Sequence, residues 1–168
     1  NNLVDYSDMI HQFVNKSHLC PTFDVVFIDE AQDLSPIQWM MYDILKANTK
    51  DMYLAGDDDQ AIYAWAGADV DRFIKEPATE IVLKKSRRVP RKVQDISNII
   101  VNRIEGLRAD KTYYPREEDG SCIKINNLDN VDLAKDNWLI LTRTRSKSVQ
   151  IAKELKQRGI FFESKFFK

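Results

Sequence analysis

Asp29 and Glu30 directly follow the apolar run Val25-Val26-Phe27-Ile28. A run of that kind, with β-branched residues and a preceding Pro21, predicts a buried strand over Phe23 to Ile28. Two carboxylates would then stand at its C-terminal end, where open α/β sheets place their ligands. A hard cation such as Mg2+ takes oxygen ligands, commonly one or two carboxylates completed by waters and phosphates. A neighbouring carboxylate can orient or deprotonate an attacking water. On this reading Asp29 serves the metal and Glu30 is the catalytic base. The pair alone also fits an acidic turn after a strand, with Asp33 as a helix-start residue; Gln32 and Asp33 add weight to the chemical reading.

A second polar segment, Gly56-Asp57-Asp58-Asp59-Gln60, starts where another short strand, Asp51 to Ala55, should end. Gln60 carries an amide that can donate to a phosphoryl oxygen while accepting from water. Tyr63 and Trp65 follow. Exposed aromatic rings stack on unpaired bases with little sequence preference; the alternative for each is ordinary packing. Six basic residues fall among the nine from Lys84 to Lys92, the one concentrated basic run. Arg87 and Arg88 lie within it. Lys84, Lys85, Arg91 and Lys92 read better as a solvated face than as phosphate contacts.

Several elements must position these groups. Apolar residues at Met9, Ile10, Phe13 and Val14 space as one face of a helix over Asp5 to Lys16. Ser35-Pro36-Ile37-Gln38 combines a capping serine, a proline at the first helical position and a glutamine at the third, opening a helix to about Ala47. Thr79 to Leu83 is a third strand candidate, and Trp138 to Thr142 another, with a weaker one at Cys122 to Ile125. Helices are expected over Pro90 to Ile104, presenting Val93, Ile96, Ile100 and Ile104 to a core, and over Ser148 to Arg158. Glu105 to Asp136, with Gly106, Pro115 and Gly120, reads as a connection of uncertain structure. Strands alternating with helices imply an α/β fold with a parallel sheet.

Composition bounds the rest. The 168 residues suffice for one domain or parts of two, and a formal net charge of −1, from 25 Lys and Arg against 26 Asp and Glu, argues against a protein that coats nucleic acid by bulk charge. Cys20 and Cys122 form no disulfide framework or zinc pattern, and no apolar run is long enough for a membrane span. The absence of an initiator Met fits an internal piece of a longer protein.

The combination of Phe27-Ile28-Asp29-Glu30-Ala31-Gln32-Asp33 with Gly56-Asp57-Asp58-Asp59-Gln60-Ala61-Ile62-Tyr63-Ala64-Trp65-Ala66-Gly67-Ala68 resembles superfamily 1 DNA helicases of the UvrD/Rep kind. The resemblance extends from Val4 to the segment around Trp138 to Ser146, with little signal over 105–136. It implies a P-loop, RecA-like helicase core whose sheet is incomplete here: residues 1–83 as the C-terminal half of a first motor domain and 84–168 as the start of a second. It implies ATP and Mg2+ as cofactors and single-stranded DNA and single-strand/duplex junctions as partners, together with the remainder of the motor. Asp29 resembles the family's magnesium-associated aspartate, Glu30 its catalytic glutamate and Gln60 its γ-phosphate sensor. Arg88 resembles the arginine finger. Arg87 stands where close relatives often have a tyrosine packed on the nucleotide base, which puts adenine packing in doubt, and Ala66 stands where many have arginine. Trp65 resembles the residue that stacks on single-stranded DNA, with Tyr63 beside it, and Arg143 a DNA-phosphate contact, Arg145 a weaker one.

No Gly-x-x-x-x-Gly-Lys followed by Ser or Thr occurs in the chain. The phosphate-cradling loop is thus expected outside it, leaving these 168 residues inactive alone as an ATPase while the parent protein acts as an ATP-dependent helicase in DNA repair or replication, cytoplasmic or nucleoid-associated. A recombination helicase-nuclease and a noncatalytic DNA-binding regulator are the alternatives.

Overall fold

A computed structural model describes residues 4–164, in two compact units, Asn1–Ser121 and Cys122–Lys168. The first unit carries the parallel pair β1 (Phe23–Ile28) and β2 (Thr49–Leu54), in register from Phe23 opposite Thr49 to Ile28 opposite Leu54. Both strands arise close to where they were expected and β1 has the expected bounds, but not the expected burial: Phe23, Val25 and Phe27 are exposed, because the pair is not covered on both faces. Parallel strands need a crossover, and α2 (Pro36–Ala47) supplies it. The Ser35 amide donates to the Gln38 side-chain oxygen at 2.9 Å, closing the cap that the sequence encodes.

Helix α1 (Tyr6–Asn15) begins with a reciprocal cap, Asp8 N–H to Asp5 at 2.8 Å and Asp5 N–H to Asp8 at 3.1 Å, and packs on α2. The small core lies under α2. Trp39 is 0% exposed and meets Tyr42 edge to face at 5.1 Å. The Arg72 guanidinium, on α3 (Val70–Lys75), sits 4.9 Å from the Trp39 ring, an attractive cation–π placement. The Tyr42 hydroxyl and the Lys46 ammonium both donate to Glu76, at 2.8 and 2.5 Å, which ties the end of α3 to α2.

Beyond α3 the chain runs through an extended stretch to α4 (Arg91–Val101). Residues 84–92 are flanked by the later segment 114–119. Tyr114 N–H donates to the Lys84 carbonyl at 2.7 Å, Ser86 N–H to the Tyr114 carbonyl at 2.9 Å, and Arg116 N–H to the Val89 carbonyl at 2.9 Å. The second unit is built around α5 (Arg145–Gln157), capped by Thr144, with Leu155 buried and Arg158 paired to Asp129 at 2.5 Å.

Three expected strands are absent among the described residues: 79–83, 122–125 and 138–142 form no ladder. An extended segment becomes a strand only when a neighbour completes its backbone hydrogen bonds. Here none does, and Ile81, Leu83, Ile123, Leu139 and Leu141 stand exposed. Helix α4 ends at Val101, short of the expected Ile104, and its expected inward stripe is corrected likewise: Val93 is half-buried, Ile96, Ile100 and the following Ile104 are exposed, and the buried residue is Gln94, whose amide bonds Asn98 at 3.0 Å. Both cysteines are free, and no helix among the described residues is long and apolar enough to cross a membrane.

Candidate active site at the strand ends

The backbone leaves β1 under constraint. Glu30 adopts φ 53° and ψ 40°, the sole non-glycine residue at positive φ among those described. A left-handed residue with a Cβ costs about 1–2 kcal/mol and persists only where its surroundings impose it. The imposing contacts are visible. Ala55 N–H donates to the Ile28 carbonyl at 2.8 Å and Ala31 N–H to the Ala55 carbonyl at 3.0 Å, clamping both sides of the turn, while Glu30 N–H turns to the Asp29 carboxylate at 2.9 Å. Asp29 and Glu30 are both exposed at the strand end.

Gln32 is 1% exposed, and both ends of its amide are engaged. Its nitrogen donates to Glu30 Oε2 at 2.7 Å, and its oxygen accepts the Asp57 backbone N–H at 3.0 Å. The carboxylate can only accept and the backbone N–H only donate, so this arrangement fixes the amide orientation. Gln32 therefore bonds the acid after β1 to the first residue of the loop after β2. A Cβ on Gly56 would lie 2.7 Å from Gln32 Oε1 and 2.8 Å from the Phe73 ring. Glycine at 56 is what lets the amide approach.

The loop after β2 places three carboxylates in succession, and two cations from the region 105–136 pair with them. The Lys111 ammonium donates to Asp57 Oδ1 at 2.6 Å, to Asp58 at closer range, and lies 3.4 Å from Asp59. Arg108 makes a two-pronged bond to Asp59, at 2.6 and 2.9 Å. The second Asp58 oxygen accepts the Ala109 N–H at 3.0 Å. Burial pushes the Lys111 ammonium down, but the hydrogen bonds and charges of Asp57 and Asp58 outweigh it and hold its pKa above the ordinary value. Burial likewise raises Asp57, and Lys111 and Gln60 outweigh it, leaving its carboxyl below the usual range. Asp59 raises Arg108. The two cations thus offset two of the three carboxylate charges and leave the cluster with a formal charge of −1.

Gln60 is exposed, with its amide nitrogen 2.5 Å from the second oxygen of Asp57. The chain then turns through 61–67 and closes at Gly67, φ 94°. Asp69 N–H returns to the Leu34 carbonyl at 2.9 Å. On this turn Trp65 is 84% exposed, with Tyr63 beside it at 6.4 Å between ring centres, tilted 48°. Large apolar rings this open are unlike packed core residues.

Glu30, Gln32, Asp57 and Gln60 therefore form one bonded array across two adjacent strand ends, with Asp29 at its edge. Arg87 and Arg88 stand in the same unit on a turn held by Ser86, whose hydroxyl accepts from Arg88 N–H at 3.3 Å and Val89 N–H at 3.0 Å. Their side chains are exposed and have no ion-pair partner among the described residues. Arg143 is exposed in the second unit. Arg108 and Lys111 escaped the sequence reading. The only available signal was an unmatched acidic triplet in one segment and isolated cations in another, 49 to 54 residues away.

Residues 1–79 match the family described as UvrD/REP helicase N-terminal domain. A probable DNA helicase II homolog of Mycoplasma capricolum is 25% identical, over 97% of this chain and 27% of its own length. DNA helicase II of Escherichia coli is 30% identical, over 73% of this chain and 19% of its own length. The ATP-dependent DNA helicase PcrA of Leuconostoc citreum is 23% identical, over 90% of this chain and 24% of its own length. The chain spans between 19% and 27% of the length of these relatives.

Proposed function

This chain belongs to the UvrD/REP helicase family through residues 1–79, and on that premise we propose that it is the acid-and-sensor part of an ATP-dependent DNA helicase with a P-loop, RecA-like core. The observation that carries the reading is the Gln32 bridge. It joins Glu30 at the end of β1 to Asp57, and through Asp57 to Gln60 at the end of β2. A catalytic base and a phosphate-sensing amide held in one array are what a hydrolase needs in order to report its nucleotide state to another surface.

ATP with Mg2+ supplies the phosphoanhydride whose hydrolysis drives the motor. The donor set fits: Asp29 and Glu30 offer exposed hard oxygen ligands at a strand end, and Mg2+ asks few carboxylates of a protein. In this reading Asp29 holds the metal, directly or through water. Glu30, kept in place by Gln32, orients the attacking water and takes its proton. Arg88, unpaired and permanently charged, supplies a planar donor fork against charge developing on phosphoryl oxygens, and Arg87 lies next to it to face the base. Trp65 stacks on an unpaired base of single-stranded DNA, Tyr63 supports or joins that contact, and Arg143 pairs with backbone phosphate. Gln60, one short turn from Trp65, links phosphate contact to base contact. Coupled to hydrolysis, this produces movement along one strand and separation of a duplex ahead.

The test is Glu30→Gln in the intact protein. DNA-stimulated ATP hydrolysis should fall by at least ~10²-fold, in the range general acid–base catalysis supplies, while ATP binding persists. Turnover within a factor of three of the parent would overturn the assignment.

A further inference from the structure

We propose that Lys111 is a positioning residue for Gln60, acting through Asp57: it keeps the Asp57 carboxylate satisfied so that the Gln60 amide can leave it. This rests on the reading of Gln60 as the phosphate sensor. The geometry is specific. Asp57 divides its two oxygens, one to the Lys111 ammonium at 2.6 Å and the other to the Gln60 amide at 2.5 Å. The Lys111 side chain is 5% exposed, and an ammonium so deep persists only where it is paired. Its other partner, Asp58, is itself anchored by the Ala109 N–H, and Asp59 is taken by Arg108. The cation is thus fixed from several sides, while Gln60 is the exposed partner of Asp57.

A sensor amide must exchange its resting acceptor for a phosphoryl oxygen. Were Gln60 the principal donor to Asp57, each exchange would strand a half-buried carboxylate with a single backbone donor, Asp59 N–H at 3.2 Å. Losing a hydrogen bond to a charged group costs enough to slow the exchange substantially. Lys111 removes that cost by remaining on Asp57 in both states. The residue therefore belongs to the coupling machinery, although it lies 54 positions from Asp57 in the sequence.

The experiment compares Lys111→Met, Asp57→Asn/Lys111→Met and Glu30→Gln in the intact protein, measuring ATP turnover with and without a single-stranded oligonucleotide. Lys111→Met should lower DNA-stimulated kcat by about 10- to 100-fold with KM for ATP within about threefold. The double variant, which removes the carboxylate that Gln60 must leave while Asp58 keeps the Ala109 N–H, should recover to within about threefold of the parent. A merely structural lysine would give no such recovery, and its absence overturns the proposal, as does a Lys111→Met protein with parental kcat. If Lys111→Met fails to fold, Lys111→Gln, which keeps an N–H donor group without charge, is read by the same criteria with Asp57→Asn/Lys111→Gln as its double variant. Parental turnover in Glu30→Gln would instead overturn the underlying site assignment, and the proposal with it. With Glu30→Gln inactive and Lys111→Met unaffected, only the role of Lys111 falls.

Discussion

Gly56→Ala is the smallest change that addresses the site as a mechanical object. The added methyl would sit 2.7 Å from Gln32 Oε1 and 2.8 Å from the Phe73 ring, both inside van der Waals contact. Gly56 is not at positive φ, so the effect is steric and owes nothing to backbone preference. Neither neighbour yields freely: Gln32 is buried with both ends bonded, and Phe73 lies on α3. Overpacking of one methyl costs about 1–3 kcal/mol. Displacing Gln32 also forfeits the Asp57 bond, about 0.5–1.5 kcal/mol, for a total of roughly 2–4 kcal/mol. At about 3 °C per kcal/mol for a protein of this size, the melting temperature should fall by ~6–12 °C. Because Gln32 holds Glu30, hydrolysis measured well below the transition should fall by up to ~10²-fold, the penalty for misplacing a catalytic group by about 1 Å. Thermal unfolding of this chain by circular dichroism and a coupled ATPase assay on the intact protein read the two effects. A shift under 2 °C in Gly56→Ala would refute the packing argument, and unchanged turnover in a destabilised variant would sever Gln32 from the chemistry.

Two further outcomes follow from other contacts. Burial pushes the Glu76 carboxyl up, but the Lys46 ammonium and the Tyr42 hydroxyl outweigh it and hold its pKa below the usual range. A lowered folded pKa stabilises fully above the unfolded value, about 4.3, and is lost as pH falls through the folded value. Urea unfolding should thus show a stability gap between the parent and Glu76→Gln that is flat above about pH 5 and shrinks below about pH 4; a gap unchanged down to pH 3 contradicts it. Trp65→Ala, at an exposed turn, should leave stability within ~0.5 kcal/mol. Its affinity for an oligothymidine, by fluorescence anisotropy at fixed salt, should fall roughly 5- to 150-fold, as one lost base stack implies; unaltered affinity would remove Trp65 from the DNA contact.

How much of this was legible varies by the kind of interaction. Strand β1 and the cap of α2 are local: β-branched apolar residues and Ser-Pro-x-Gln carry their own instructions, and both formed within the expected bounds, although β1 is not buried as its apolar run implied. The polar segments at Asp29–Gln32 and Asp57–Gln60 were also legible, because spacing from a strand end is a short-range property. Strands at 79–83 and 138–142 failed because a strand is a property of two segments, and hydropathy describes only one. Lys111 and Arg108 were invisible for a related reason: ion pairing across some fifty residues leaves no periodicity. Gln32 was noticed only as part of an acidic motif. Its bridging role depends on Gly56 being bare, a condition no single segment reveals.

The left-handed backbone at Glu30 implies an evolutionary tension. Replacing this glutamate by glycine should relieve strain of about 1 kcal/mol at that residue, so the substitution most favourable to the turn would delete the carboxylate proposed as the base. Glycine there would also leave the buried Gln32 amide nitrogen without its acceptor, at about 1–3 kcal/mol, so the partner that holds the strained carboxylate in place also protects it from replacement. A library screened only for thermal tolerance should therefore enrich glycine at position 30 only where position 32 changes with it, and one screened for hydrolysis should purge it.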